Sequence, residues 1–174
     1  MTIINSAIVK GMKDQPTGIA ALDERIPFLL SQLGSYVAAE FQHRIGGIGV
    51  QPRTYAVLMA LATEDGQSQR QLSARLGIHR NAMVAVIDAL EADGLVKRMA
   101  HPGDRRAFAI TLTDRAHHLL PDLDKAAGTL EDTITAPLSA DEQHTLRDLL
   151  QRIAGGAGLI PGVHPHLAPG APNC

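Results

Sequence analysis

Basic side chains gather in the middle of the chain, where they could lie against a nucleic-acid backbone. Between Arg70 and Arg106 there are seven arginines and lysines against four acidic residues, whereas the rest of the chain has nine basic and fourteen acidic residues. The whole chain of 174 residues carries a formal charge of −2, so it is not a uniformly basic binder of nucleic acid. The asymmetry indicates either a local electrostatic footprint or a chance fluctuation in surface charge.

Eight histidines offer a second kind of chemistry, which is metal binding. His43 follows Glu40 near the end of a predicted helix, and His117 and His118 lie early in a later one. Adjacent residues on a helix point about 100° apart, so His117 and His118 do not easily face one site. We therefore predict no metal site and no cofactor. A metal-responsive protein that uses His43 with His117 or His118 stays open as an alternative.

Patterns typical of enzymes are absent from the sequence. It contains no G-x-S-x-G and no Walker loop, and Gly47-Ile48-Gly49 follows a predicted helix and lacks the third glycine of a nucleotide loop. We therefore predict no enzymatic activity. No apolar run approaches the roughly 18 residues that span a bilayer. The one cysteine, Cys174, allows no intrachain disulfide, which favours a reducing cytoplasm.

The elements that position these residues are mostly helices. Apolar residues at i, i+3, i+4 and i+7 predict helices that begin near Pro27, at Pro52, after Ser68, near Arg80, at Asp114 and after Ser139. Residues 95–99 and 108–112 predict two short strands. Pro121 lies within the fifth helix and is expected to kink it or to delay its start. We predict a flexible arm over residues 1–20, a domain over 21–156 and a mobile tail over 157–174.

Two helices separated by Gly77-Ile78-His79 and followed by a basic hairpin are the layout of a winged helix-turn-helix. The second helix is narrow enough for the major groove of DNA, which is about 12 Å wide. An arginine at the hairpin tip, residues 101–106, can reach a narrow minor groove. An ordinary helical hairpin with a charged loop, in a helical interaction module that does not bind DNA, is the alternative.

Residues 69–113 resemble the core of the MarR family of transcriptional regulators. The similarity is strongest in LEADGLVKR (90–98) and in GDRRAFAITLT (103–113). Upstream, VQPRTYAVLMAL (50–61) is similar to the second helix of the family, and the resemblance extends over about residues 26–153.

The resemblance implies a mainly α subunit of six helices with a small β-hairpin wing. It also implies a homodimer that regulates transcription and has no enzymatic activity. Residues 52–113 would form the winged helix-turn-helix, and helices over about 24–46 and 114–155 would form the dimer interface. Such a dimer binds a palindromic operator, often as a repressor that a small aromatic or phenolic ligand releases.

The resemblance also assigns roles to individual residues. Asp104 and Arg106 match the Asp and the minor-groove Arg of the wing, and Arg105 lies between them. The outward positions of the second helix give Arg80 as a guanine reader and Asn81 as an adenine reader. The predicted DNA-binding residues are Ser68, Gln69, His79, Arg80, Asn81, Ala82, Val84, Ala85, Arg98, Asp104, Arg105 and Arg106. His43, Arg44 and Tyr55 are the predicted ligand pocket.

Overall fold

The computed structural model describes residues 18–100 and 107–165. Residues 1–17 of the predicted arm, the hairpin tip over 101–106 and residues 166–174 of the predicted tail lie outside these residues. The chain divides into two compact units, Met1–Ala38 and Ala39–Cys174.

The first unit contains the helix α1 (Ala20–Asp23) and the first part of α2 (Ile26–Gly46). The prediction did not include α1, which has a single turn and no buried residue, so it carries no apolar periodicity. On α2, large apolar side chains face solvent along this part of the helix, namely Ile26, Phe28, Leu30, Leu33 and Tyr36.

The second unit contains five further helices and a three-stranded antiparallel sheet. The helices are α3 (Pro52–Thr63), α4 (Gln69–Leu76), α5 (Arg80–Ala92), α6 (Asp114–Thr135) and α7 (Ala140–Gly156). The strands are β1 (Gln67–Ser68), β2 (Val96–Ala100) and β3 (Phe108–Leu112), in the order β1-β3-β2. The six predicted helices and the hairpin are confirmed. The strand β1 was missed because two residues are too short to show an alternating pattern.

The helix boundaries follow from local capping. The Ser68 hydroxyl accepts a hydrogen bond from the Gln71 N–H at 3.3 Å, and the Gln71 side chain accepts one from the Ser68 N–H at 2.8 Å. Gly77 ends α4 with φ of +64°, a left-handed conformation that glycine adopts without steric cost. Ser139 and Glu142 form the same reciprocal cap at α7, and these hydrogen bonds lower the pKa of Glu142. Both helices therefore begin directly after these serines, as the sequence predicts, and each serine forms a capping box with the residue three positions on.

The helix α6 begins at Asp114, where the Thr113 hydroxyl accepts a hydrogen bond from the Ala116 N–H at 3.2 Å. Pro121 lies inside the helix, so of the two predicted outcomes, a kink or a delayed start, the delayed start is wrong. Because Thr113 caps the first turn, the helix starts seven residues before the proline.

The apolar core lies around α5. Met83, Ile87 and Leu90 on one face of this helix are completely buried, and they share the core with Leu58 and Leu72 from α3 and α4. Since residues of a helix advance by about 100° each, burying this face turns Asn81, Val84 and Ala85 away from the core. The core thereby sets which side of α5 is available to a partner.

Candidate nucleic-acid interface

The outward face of α5 carries the predicted base readers. Arg80, Asn81, Val84 and Ala85 are exposed, and 43% of the Val84 surface is accessible. Ala82 is half-buried and packs against the core, so it lies at the flank of this face. The exposed face combines a guanidinium, an amide and two apolar side chains. This set can donate to guanine, pair with adenine and contact thymine methyl groups.

His79 forms the N-cap of α5. The N–H of Asn81 donates to Nδ1 of His79 at 3.3 Å. An Nδ1 that accepts a hydrogen bond carries no proton, so the ring proton of the neutral imidazole lies on Nε2. The exposed His79 therefore both begins the helix and presents an N–H donor beside Arg80.

Ser68 and Gln69, the predicted DNA-binding residues at the start of α4, differ in their hydrogen bonding. The Ser68 hydroxyl also donates to Oε1 of Gln71 at 2.7 Å, so it is engaged in the cap on both sides. Gln69 is half-buried, and its Nε2 has no hydrogen-bond partner within residues 18–100 and 107–165. These residues mark the start of the helix that packs behind α5.

Arg98 lies on β2 and contacts two carboxylates of α5. Its Nη2 donates to Oδ1 of Asp88 and its Nη1 donates to Oε2 of Glu91. Burial by itself lowers the pKa of Arg98, but the hydrogen bonds to Asp88 and Glu91 outweigh it and raise the pKa. The guanidinium is therefore charged, and it is held by the carboxylates of Asp88 and Glu91 on α5.

The wing strands pair over five positions. Val96 is opposite Leu112 and Ala100 is opposite Phe108 in an antiparallel register. Val96 and Leu112 are buried, whereas Lys97 on the other face of β2 is exposed. The predicted tip residues Asp104, Arg105 and Arg106 lie outside the described residues.

The predicted ligand residues lie on two helices, His43 and Arg44 at the end of α2 and Tyr55 in α3. His43 is exposed in the last turn of α2, and Nε of Arg44 lies 3.7 Å from Oε2 of Glu40 on the same helix. The Tyr55 ring packs edge-on against Phe41, with ring centroids 5.0 Å apart. Burial, together with the charge of Asp124, raises the pKa of Tyr55, so its phenol stays protonated.

A cavity of about 360 Å³ opens elsewhere, between the start of α6, the end of α5 and the loop before α3. It is lined by Ile48, Gly49, Val50, Asp93, Leu95, Arg115, His118, Leu119 and Asp122. His43, Arg44 and Tyr55 are not among these residues. Sequence reasoning missed the cavity because its walls come from three segments whose proximity no local pattern shows.

Two further findings concern the residues that the structure describes. Over 18–100 and 107–165, no three His, Cys, Asp or Glu side chains gather into a group that could hold a metal ion. In the same ranges, no helix combines the length and the apolar composition required to cross a membrane.

Comparison with known proteins extends these observations. The MarR family model matches residues 48–107. A probable transcriptional regulator from Pseudomonas aeruginosa has 33% sequence identity and a TM-score of 0.65, over 76% of this chain and 98% of the other. The chain belongs to the MarR family. Its members are non-enzymatic DNA-binding regulators, so this protein is a MarR-family transcriptional regulator.

Two other relatives of this MarR-family regulator have a known ligand, DNA complex or target operon. CouR from Rhodococcus jostii RHA1, bound to p-coumaroyl-CoA, has 30% identity and a TM-score of 0.65 over 78% of this chain and 96% of that one. CouR bound to a 23-mer DNA duplex has 31% identity and a TM-score of 0.70, over 80% of this chain and 99% of that one. A putative regulatory protein for the hcr operon of Thauera aromatica is 32% identical over 105 residues, which span 60% of this chain and 63% of that relative. The predicted family and winged-helix fold are confirmed.

Proposed function

We propose that this regulator is a cytoplasmic homodimer that represses transcription by binding a palindromic operator, and that a small aromatic or phenolic acid releases it. The observation that carries the proposal is the outward face of α5, where Arg80, Asn81, Val84 and Ala85 are exposed while the opposite face is buried. A helix presented in this way fits the major groove. The repressor CouR, which is similar over its whole length, has been solved on a DNA duplex.

Each chain would contribute one α5 and one wing to the operator. Base contacts come from the outward face of α5, namely His79, Arg80, Asn81, Val84 and Ala85, with Ala82 at its flank. Phosphate and minor-groove contacts come from Gln69, Arg105 and Arg106, while Ser68 caps the helix that positions Gln69. Asp104 belongs to the same wing sequence, but its carboxylate does not bind phosphate. The phosphate contacts supply most of the affinity and make it depend on salt, whereas the α5 contacts supply sequence preference. With two-fold symmetry, the half-sites lie about one helical turn apart.

The proposed dimer is supported by exposed apolar residues on α2 and α7, two of the helices that the family assigns to the interface. On α7, Leu146, Leu149, Leu150 and Ile153 follow the i, i+3, i+4, i+7 pattern and are each 39–51% exposed. On α2, Ile26, Leu30 and Leu33 form a second exposed stripe. An exposed apolar stripe on a helix marks an association interface, because leaving it in water is unfavourable.

The effector is proposed to bind in the cavity between α5 and α6. Arg115 and His118 can donate to a carboxylate, Asp93 or Asp122 can accept from a phenol hydroxyl, and apolar residues line the rest. A cavity of about 360 Å³ is at the small end of ligand pockets, which suits a single aromatic ring. The pocket predicted from the sequence, His43, Arg44 and Tyr55, is the alternative location.

A ligand in this cavity would contact both α6 and the end of α5, the helix that is proposed to read the bases and is called the reading helix below. It would shift the population that can bind DNA only to the extent that it prefers one arrangement of these helices. The relative CouR supports an effector with a phenolic ring, since that protein has been solved with p-coumaroyl-CoA.

The effector site is tested by calorimetric titration with p-coumarate and p-hydroxybenzoate. We expect Arg115→Gln to weaken binding about tenfold, since a hydrogen bond to a charged group contributes roughly 1.5–3 kcal/mol. Tyr55→Phe serves as the control and should bind as the wild type does. Wild-type affinity in Arg115→Gln together with weakened binding in Tyr55→Phe would move the site to the alternative pocket.

Sequence reading by α5 is tested by selection from a library of random 30-base-pair duplexes. The wild type is expected to enrich an inverted repeat. We expect Asn81→Ala to lose about tenfold of its discrimination at one base pair in each half-site, while binding of random DNA changes little. Equal losses on the enriched duplex and on random DNA would contradict the role of Asn81.

A further inference from the structure

Arg98 has contacts that differ from those of a DNA-binding arginine. Its guanidinium spans Asp88 and Glu91, and its backbone N–H donates to Oε1 of Glu91 at 3.3 Å. The Arg98 side chain is only 21% exposed, whereas Asp88 is 58% and Glu91 is 41% exposed. The cation therefore lies beneath the two carboxylates, on the side of the wing strand β2.

The acidic pair lies on the reading side of α5. Asp88 is seven residues after Asn81 and four after Val84, so the three side chains share one face of the helix. Glu91 follows Asp88 by three residues on the neighbouring row. Two uncompensated negative charges here would repel the phosphates of any duplex that α5 enters.

We propose that Arg98 is a positioning residue: it neutralises Asp88 and Glu91 and holds the base of the wing against the reading helix. This role replaces the direct DNA contact that the sequence suggested for Arg98, and it rests on the proposed function of α5. The Arg98 side chain thereby links β2 of the wing to α5, and both elements contact the same DNA duplex in the proposed complex. It also makes an acidic reading helix compatible with DNA.

The proposal predicts a specific dependence between Arg98 and the acidic pair. In Arg98→Gln the two carboxylates lose their cation, and we expect affinity for a duplex enriched from the random library to fall about tenfold. In the triple variant Asp88→Asn, Glu91→Gln, Arg98→Gln the repulsion is gone, and we expect affinity to return to within about threefold of the wild type. An arginine that touches phosphate would behave differently, because the triple variant would still lack its contact.

Fluorescence anisotropy titrations from 50 to 200 mM salt distinguish the two roles. Removing a phosphate contact lowers the slope of log affinity against log salt by about 1. We expect the triple variant to keep the wild-type slope. Lys97→Gln is the matched control, since it removes one positive charge from the residue that precedes Arg98 in β2 and lies on the exposed face of the strand. Neutralising the acidic pair should rescue Lys97→Gln by less than about twofold.

Thermal unfolding accompanies each titration, and Arg98→Lys provides a second variant should Arg98→Gln fold poorly. One ammonium cannot span both carboxylates as a guanidinium does, so we expect Arg98→Lys to lose about threefold in affinity. A triple variant that stays as weak as Arg98→Gln overturns the proposal. A wild-type protein that enriches no duplex overturns the proposed function instead, so the two failures are distinguishable.

Discussion

Leu150→Glu is expected to separate the proposed dimer and to weaken operator binding at least about a hundredfold. Leu150 lies in the exposed apolar stripe of α7, and a carboxylate in a dimer interface loses its hydration without gaining a partner. A monomer binds only one half-site, so the second half-site is no longer bound intramolecularly. Binding both half-sites with one dimer raises the affinity by a factor of about 10²–10⁴.

Sedimentation velocity measures the separation, and anisotropy titration on the enriched duplex measures the loss. Gln151→Glu is the control, because it adds the same charge at the next residue, which points away from the stripe. We expect Gln151→Glu to remain dimeric. A Leu150→Glu protein that stays dimeric and keeps its affinity would exclude α7 from the interface.

Arg106→Ala is expected to weaken DNA binding by about 1–3 kcal/mol without unfolding the dimer. Arg106 belongs to the Asp104-Arg105-Arg106 sequence that joins β2 to β3, and a guanidinium at such a tip can enter the minor groove, where the negative potential is strongest. The loss should be larger on the enriched duplex than on random DNA.

A gel-shift titration at fixed salt checks the expectation for Arg106. Lys125→Ala on α6 is the control, since it removes one positive charge from an exposed position outside α5 and the wing. Unchanged affinity in Arg106→Ala would remove the wing from the mechanism.

The parts of the fold that local chemistry determines could be predicted from the sequence. The capping boxes at Ser68 and Ser139 act over three residues, and the apolar stripe of α5 recurs every turn, so both are visible in one segment. The strand β1 is different. Gln67 and Ser68 are extended because they pair with Ile110 and Ala109, more than forty residues away.

The same distinction holds for the candidate site. The exposure of Arg80 and Asn81, the proposed base readers, follows from the periodicity of one helix. The contacts of Arg98 with Asp88 and Glu91 depend on how β2 turns back over α5, so the charge of Arg98 alone suggested a DNA contact. The cavity at Arg115 likewise depends on the packing of three segments.

Hydroxyl-radical footprinting of the protein on the enriched duplex is the most direct test of whether the two α5 helices of a dimer bind one operator. If a symmetric dimer binds the operator, we expect two protected windows on one face of the duplex, separated by about ten base pairs and related by two-fold symmetry. A single protected window, or uniform protection that follows no sequence, would contradict it.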